Sequence, residues 1–188
     1  VIGMIADQSD LSAIENLAHE IAERFGKVDI LLINAGITKF APIESTAEEF
    51  FDEIMNINFK GAYFTLSKFI PALNDNASVT FLSSTSAIIS PQSASVYAAS
   101  KAAINAVMKI AALELASRNI RVNAVSPGPV ATEIMNKIGL DNSLENQIVS
   151  SIPLSRFGKP NEVADLITYL SGDNASFITG SNFLIDGG

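Results

Sequence analysis

The 188-residue sequence contains no cysteine, a single histidine and few clustered charges. Without cysteine, disulfides, thiolate metal ligands and cysteine nucleophiles are excluded, and the composition suits a reducing cytoplasm. Twelve Lys and Arg residues against 20 Asp and Glu residues give a net charge of −8, and basic residues nowhere run together or interleave with aromatics. We therefore expect neither nucleic acid nor an anionic membrane as a partner.

Long apolar runs are also missing from the sequence. Segments such as "ILLI" are far too short to cross a bilayer, and no charged-then-apolar signal segment opens the chain. The only histidine, His19, lies in a polar helical pattern, and no nucleophile-elbow sequence is present, which argues against a serine hydrolase. With 48% apolar residues, the chain is predicted to form a globular domain with a substantial core.

Short β-rich apolar runs alternate with segments of helical period, and no linker separates them. The predicted strands are "VIGMIAD" (1–7), "VDILLIN" (28–34), "SVTFLSS" (78–84), "IRVNAVS" (120–126) and "NFLID" (182–186). The predicted helices span residues 10–25, 46–73, 95–117 and 161–170, with a further helical region near 131–151. This alternation predicts an α/β fold, a doubly wound, mostly parallel sheet with helices on both faces, whose ligands bind at the carboxyl ends of the strands.

Polar groups follow several of these strands, and two of the candidates share one helix. Tyr97 and Lys101 are spaced i and i+4, which puts them on one helix face. An ammonium about 4 Å from a phenolate supplies roughly 1 to 4 kcal/mol, which lowers the tyrosine pKa by roughly one to three units. With Ser84 holding a substrate oxygen, Tyr97 could exchange a proton with it while a cofactor transfers hydride. Alone, the pair favours a snorkelling lysine beside a half-buried tyrosine.

The pair does not stand alone, because several motifs occur in a characteristic order. "NAG", "NINFKG", "SS", "YAASK", "RVNAVSPGPVAT", "PLSRFGKPNEVA" and "SFITGSNFLIDGG" together make the chain resemble the short-chain dehydrogenases/reductases from Asp7 to Gly188. The resemblance implies that Tyr97 is the acid/base, that Lys101 lowers its pKa and holds the nicotinamide ribose, and that Ser84 orients the substrate oxygen. It implies that Asn58 lies at a kink in its helix, where it holds a water linking Lys101 to solvent. Ser83 is the neighbouring candidate, but Ser84 has the family's 13-residue spacing to the tyrosine.

The same resemblance implies a cofactor site for NAD or NADP and no metal. The residues expected to contact the cofactor, besides Tyr97 and Lys101, are Asp7 near the adenine, Asn34, Ala35 and Gly36 near the adenine ribose, and Pro127, Gly128, Val130 and Thr132 near the nicotinamide and pyrophosphate. Thr132 is also well placed to cap the helix that follows it.

The family's glycine-rich turn, and the residue that selects NAD or NADP, have no counterpart in this sequence. We therefore expect residues 1–188 to be a single Rossmann-type NAD(P)-binding domain that is N-terminally incomplete by about one βαβ unit. The strand "VIGMIAD" then lacks its family partner, and the sheet has an exposed apolar edge. A non-catalytic scaffold or oligomerisation subunit is the alternative, if the functional chain starts here.

The substrate is expected to be a small carbonyl compound or secondary alcohol. Ile134, Met135, Ile138 and Leu140 belong to a segment resembling the family's lid and could line an apolar pocket. A 3-oxoacyl-carrier-protein reductase is the alternative within the enzyme class. The resemblance implies basic residues near the strand that ends in Ser84 for such an enzyme, whereas "NDNASVT" has none and Arg118 is the one cation that we assign to this region, which disfavours this alternative. The apolar faces of helices 46–73 and 95–117 and the last strand resemble the surfaces through which members of the family form dimers and tetramers. We therefore expect a homodimer or homotetramer.

Overall fold

The computed structural model of the protein describes residues 1–89, 91–132 and 142–188. Its strands are β1 (Val28–Ile33), β2 (Leu73–Leu82), β3 (Arg121–Pro127) and β4 (Asn182–Ile185). Its α-helices are α1 (Leu11–Phe25), α2 (Glu48–Ile54), α3 (Ala62–Phe69), α4 (Ser95–Glu114), α5 (Asn142–Ser151) and α6 (Pro160–Ser171). A π-helical segment, Met55–Gly61, joins α2 to α3.

The four strands form one parallel sheet in the order β1-β2-β3-β4. Val79 of β2 lies opposite Val122 of β3, and Ala124 of β3 lies opposite Asn182 of β4. Because all four strands run the same way, their carboxyl ends share one edge of the sheet. The predicted α/β class and the predicted parallel sheet are confirmed.

Helices cover the sheet unequally on its two faces. On one face, α1, α3 and α4 bury a core that includes Leu66, Phe81 and Met108. On the other face, α6 packs against β2 and β3, where Val163 and Leu170 are buried. Over β1 no described helix covers this second face, and Ile30 and Leu32 are exposed. The predicted helices on both faces of the sheet are therefore confirmed, and the exposed side chains of β1 agree with the exposed apolar edge that the sequence predicted.

The prediction of a strand over residues 1–7 is wrong for this structure. These residues have no regular structure, and most of them are exposed. A strand needs a neighbour to pair its N–H and C=O groups, and no described strand lies beside them. The chain becomes regular at α1, where Asp10 accepts a hydrogen bond from Ser12 N at 2.8 Å as the predicted N-cap.

The predicted continuous helix over residues 46–73 is interrupted. It begins at Glu48, with Ala47 as its N-cap, and passes through the π-helical segment. A 3-10 turn, Ile70–Ala72, ends it, and β2 begins at Leu73, inside the range predicted as helix. The hydrophobic period alone did not reveal these changes, because π- and α-helical turns differ by only one residue per hydrogen bond.

The helix α4 is long and apolar enough to cross a membrane by length and composition, with a mean hydropathy of 1.2 over 18 residues. Its buried residues, among them Ile104 and Met108, belong to the core cluster against the sheet. It also carries Tyr97 and Lys101, and Lys101 is bonded to β2. These contacts are those of a core helix in a globular domain.

Candidate active site

Two hydrogen bonds fix α4 against the carboxyl end of β2. Lys101 Nζ donates to Leu82 O at 2.8 Å, and Ser83 Oγ donates to Lys101 O at 3.2 Å. Ser84 comes directly after Ser83, so the helix that carries Tyr97 is held at the end of the strand that carries Ser84. The sequence expectation that these three residues meet at one edge of the sheet agrees with this arrangement.

Ser84 is buried, and its Oγ accepts a hydrogen bond from Ser86 N at 3.1 Å, which caps the short 3-10 turn Thr85–Ala87. A hydroxyl oxygen that accepts from the backbone still carries its own hydrogen. Ser84 can therefore donate to an oxygen of a bound molecule while its own position is fixed by the backbone.

Tyr97 is half-buried one turn before Lys101, and the Lys101 ammonium lies 5.9 Å from the centre of the tyrosine ring. The Tyr97 hydroxyl has no hydrogen-bond partner among the residues that the structure describes. The ring of Phe40 packs against Tyr97 in a T-shaped contact, with ring centres 6.4 Å apart. The phenol is thus oriented by its neighbours while its hydroxyl remains available.

Lys101 is 5% exposed, and this burial lowers the pKa of its ammonium group to about 8, because desolvation disfavours the charged form. At neutral pH the group therefore remains mostly protonated. A cation beside Tyr97 in a site largely removed from water stabilises a phenolate more strongly than a solvated cation does. Its charge is lost as the pH rises through about 8.

Asn58 lies in the π-helical segment and is 1% exposed. Its Oδ1 accepts from Ile37 N at 2.8 Å, and its Nδ2 donates to Ile37 O at 2.9 Å and to Ser100 Oγ at 3.3 Å. Ser100 Oγ in turn donates to Tyr97 O at 2.7 Å. Asn58 therefore joins the loop after β1 to the turn of α4 that carries Tyr97.

The loop after β1 approaches Lys101 closely at Gly36. A Cβ added there would lie 3.2 Å from Asn58 Oδ1 and 3.5 Å from Lys101 Nζ. Glycine at this position therefore allows the loop to pack closely against Asn58 and Lys101. Asn34, Ala35 and Gly36 are exposed.

Gln8 holds the segment before α1 against this loop. Its Nε2 donates to Ala35 O at 3.1 Å and to Ile57 O at 2.8 Å. The adjacent Asp7 is exposed, and its Oδ1 accepts from Ser9 N and Ser9 Oγ at 2.8 and 2.7 Å. These bonds lower the pKa of the Asp7 carboxyl. Asp7 is thereby an ionised group at the same edge of the site.

The turn after β3 continues this edge of the sheet. Thr85 Oγ1 donates to Pro127 O at 3.2 Å, which joins the turn to the segment that follows Ser84. Gly128 N donates to Ile185 O at 3.0 Å, and a Cβ at Gly128 would lie only 2.6 Å from Asp186 Cβ. The glycine in "PGPVAT" is thus required by close packing against the end of β4.

Val130 and Thr132 lie further along this turn. Val130 forms a parallel bridge with Gly158, and Thr132 Oγ1 lies 3.4 Å from Val130 O. Thr132 is exposed, and the start of the helix that it was predicted to cap lies outside the described residues. Ile134, Met135, Ile138 and Leu140, predicted to line an apolar pocket, also lie outside them. Among the described residues, Thr132 contacts neither Tyr97 nor Lys101.

The "PLSRFGKPNEVA" motif fixes the start of α6. Both terminal nitrogens of Arg156 bond Glu162, at 2.9 and 2.7 Å, and Lys159 N donates to the same carboxylate at 2.7 Å. These bonds lower the pKa of Glu162 to about 2. Arg156 and Glu162 border a cavity of about 90 Å³ next to Val130 and Gly158. The motif therefore packs against the turn after β3 at Val130.

Sequence reasoning missed three residues of this site: Gln8, Phe40 and Ser100. Their contacts join segments 27 to 57 residues apart or depend on helix geometry, so no local pattern marks them. His19 is exposed on α1, in a groove shared with Lys27 and Ala72 at the amino ends of the strands. It lies at the opposite edge from Ser84, which removes the base that a serine hydrolase would need.

Comparisons with known proteins agree with this geometry. The family described as enoyl-(acyl carrier protein) reductase matches residues 2–188. A 3-oxoacyl-[acyl-carrier-protein] reductase of Thermotoga maritima is 38% identical over 186 residues, which cover 98% of this chain and 75% of that protein. Among solved structures, a short-chain dehydrogenase/reductase from Serratia marcescens superposes with a TM-score of 0.93 at 31% identity, over 100% of this chain and 76% of the other.

A blue fluorescent protein from a metagenomic library, solved in complex with NADPH, superposes with a TM-score of 0.91 at 26% identity, over 97% of this chain and 73% of that one. The sequence match and both structural matches extend over nearly the whole chain, including the segments that carry Ser84, Tyr97 and Lys101. The chain belongs to the short-chain dehydrogenase/reductase family, and it is an NAD(P)-dependent oxidoreductase that acts on small molecules.

Proposed function

We propose that this enzyme interconverts a carbonyl group and a secondary alcohol, with Tyr97 exchanging the proton at the substrate oxygen. The observation that carries the proposal is the buried ammonium of Lys101, 5.9 Å from the Tyr97 ring and bonded to the strand that leads to Ser84. The substrate oxygen would lie between the hydroxyls of Ser84 and Tyr97. Ser84 donates a hydrogen bond to it, and Tyr97 donates the proton that completes the alcohol.

A bound reduced nicotinamide would supply the hydride that the carbonyl carbon takes up. Proton transfer from Tyr97 leaves a phenolate, which the Lys101 ammonium stabilises. Asn58 acts as a positioning residue, because its contacts run to Ile37 and Ser100. We assign it the further role of holding a water through which the proton of Tyr97 is replaced from solvent.

Residues 1–188 would act as one nicotinamide-binding domain. The exposed loop over residues 34–36, which packs beside Lys101 at Gly36, supports the passage of a dinucleotide here. We propose that Asp7, Asn34, Ala35 and Gly36 hold its adenosine half, that Lys101 and Tyr97 contact the nicotinamide ribose, and that Pro127, Gly128, Val130 and Thr132 hold the nicotinamide and pyrophosphate.

The test is titration with NADH and NADPH followed by carbonyl reduction under steady-state conditions. Binding of one cofactor, together with its oxidation in the presence of ketones, supports the proposal. If neither cofactor binds the full-length protein, the chain is a non-catalytic scaffold instead. The same titration decides between NAD and NADP.

A carrier-linked 3-oxoacyl substrate is the second candidate, favoured by the name of the Thermotoga relative. Arg118 gives it no support, because its guanidinium bonds Asp75 at 2.8 Å and the carbonyls of Ile70 and Leu73. That cluster lies at the amino end of β2, away from Ser84. The test compares kcat/KM for a 3-oxoacyl carrier protein with kcat/KM for the same acyl group on N-acetylcysteamine. A value at least tenfold higher for the carrier protein would establish carrier recognition.

We also propose a cytoplasmic homodimer or homotetramer. Large apolar side chains are exposed on α3, α4 and the last strand, among them Tyr63, Ile110, Leu113 and Leu184. Exposed apolar groups of this kind are typical of oligomer contacts. Light scattering during gel filtration gives the oligomer mass, and subcellular fractionation gives the location.

A further inference from the structure

The site carries an aromatic side chain to which the proposed mechanism gives no role. Phe40 lies in the loop after β1, over residues 34–47. Its ring packs against the ring of Tyr97, and its side chain remains 44% exposed. A side chain that contacts the reacting tyrosine and is also open to solvent can touch a molecule that reaches the Tyr97 hydroxyl. Phe40 therefore joins the Tyr97 ring to the solvent-exposed surface of the site.

A second apolar segment follows Ser84. Ile88 and Ile89 are 57% and 67% exposed, and both of their N–H groups donate to Thr85 O at 2.8 Å. This segment meets the Phe40 loop where Ala41 N donates to Ser93 O at 2.8 Å. The two segments that flank the catalytic hydroxyls are therefore joined and both present apolar side chains to solvent.

These segments offer little to balance a charge on a substrate. Residues 83–100 contain no Asp, Glu, Lys, Arg or His. The loop over residues 34–47 has one cation, Lys39, which forms an ion pair with Glu53, and one acid, Glu44, which is exposed. A carboxylate or phosphate placed here would lose hydration without gaining an unpaired cation from either segment, which is unfavourable.

We infer that Phe40 is a specificity-determining residue and that the substrate is an uncharged carbonyl compound whose apolar substituent packs on its ring. The inference rests on the proposed function, because it places the carbonyl group at Tyr97. An apolar substituent buried against Phe40 stabilises the bound substrate and the transition state by leaving water. One extra or missing methylene group in such a pocket changes kcat/KM by about 10- to 200-fold.

The experiment compares the wild type with Phe40→Ala and Phe40→Leu on four probes. Acetophenone and 2-butanone differ in the size of the apolar substituent, and ethyl pyruvate and pyruvate differ in charge. The matched control is Phe25→Ala, since Phe25 is 51% exposed but ends α1 beside the start of β1, at the opposite edge of the sheet. Cofactor affinity and thermal unfolding are measured for every variant.

We expect Phe40→Ala to lower kcat/KM for acetophenone about tenfold or more and that for 2-butanone less than threefold, with cofactor affinity unchanged. For Phe40→Leu, the value of kcat/KM for acetophenone should lie between those of the wild type and Phe40→Ala. Phe25→Ala should match the wild type on all four probes. The wild type should reduce ethyl pyruvate at least tenfold more efficiently than pyruvate. Equal losses on both ketones, or equal reduction of pyruvate and its ester, overturn the inference alone. If the wild type binds cofactor but reduces none of the probes or any other carbonyl compound, the proposed function falls and the inference falls with it.

Discussion

Replacing Lys101 with methionine isolates the cost of burying its ammonium group. Methionine has a similar length, no charge, and no proton to lose. In the folded protein the Lys101 pKa is about 8, against 10.5 in an unfolded chain. Between these values the unfolded chain holds a proton that the folded chain has released, so the free energy of unfolding of the wild type rises with pH.

The size and sign of the effect follow from this pKa difference. The release of the Lys101 proton stabilises the folded wild type fully above pH 10.5. This stabilisation is lost as the pH falls through about 8, below which the lysine is charged in both the folded and the unfolded state. At about 1.4 kcal/mol per pKa unit, the full change is about 3 kcal/mol. From pH 7 to pH 9.5, the wild type should gain about 2 kcal/mol relative to Lys101→Met.

The assay is urea denaturation of both cofactor-free proteins at pH 7 and pH 9.5. All other titrating groups are shared, so they cancel when the pH-dependent change of one protein is subtracted from that of the other. Lys109→Met is the matched control, because Lys109 is exposed on the same helix. Parallel curves for the wild type and Lys101→Met would refute the reasoning, since they would mean that Lys101 is not desolvated in the folded protein.

Three further predictions concern Gly61, Asn58 and Lys101. Gly61→Ala should lower the free energy of unfolding by about 1 to 3 kcal/mol in urea titrations, because the added Cβ would lie 2.2 Å from Gln8 O; an unchanged midpoint would contradict this contact. Asn58→Ala should lower kcat more than Asn58→Asp, because aspartate can still accept from Ile37 N; equal rates for the two variants would argue against positioning by this bond. Carbonyl reduction should decline above about pH 8, as Lys101 loses its proton and the phenolate its neighbouring cation; a rate profile that stays flat to pH 10 would separate Lys101 from the proton transfer.

Much of the central fold was predictable from local patterns. The apolar runs of β1 to β4 and the periods of α1, α4 and α6 fix these elements, and parallel strands place their carboxyl ends together. Residues 1–7 have the composition of a strand, but strand formation depends on a paired neighbour, which composition does not reveal. The apolar period did not mark the π-helical segment, and only the family resemblance indicated a kink at Asn58.

The site was predictable only where its residues belong to ordered motifs. Tyr97 and Lys101 follow from helical spacing, and Ser84 follows from its position after a strand. Gln8 and Phe40 act through contacts across tens of residues, so neither spacing nor composition points to them. Ser100 lies within "YAASK", but its role depends on the approach of Asn58, which only the folded chain provides.

The central claim is that Tyr97 supplies the proton for carbonyl reduction. Single-turnover oxidation of bound NADH or NADPH by a ketone substrate, compared between the wild type and Tyr97→Phe, tests it most directly. The account predicts that Tyr97→Phe keeps its fold and its cofactor affinity but loses at least about 10²-fold in the rate of reduction. A rate close to that of the wild type would contradict the account.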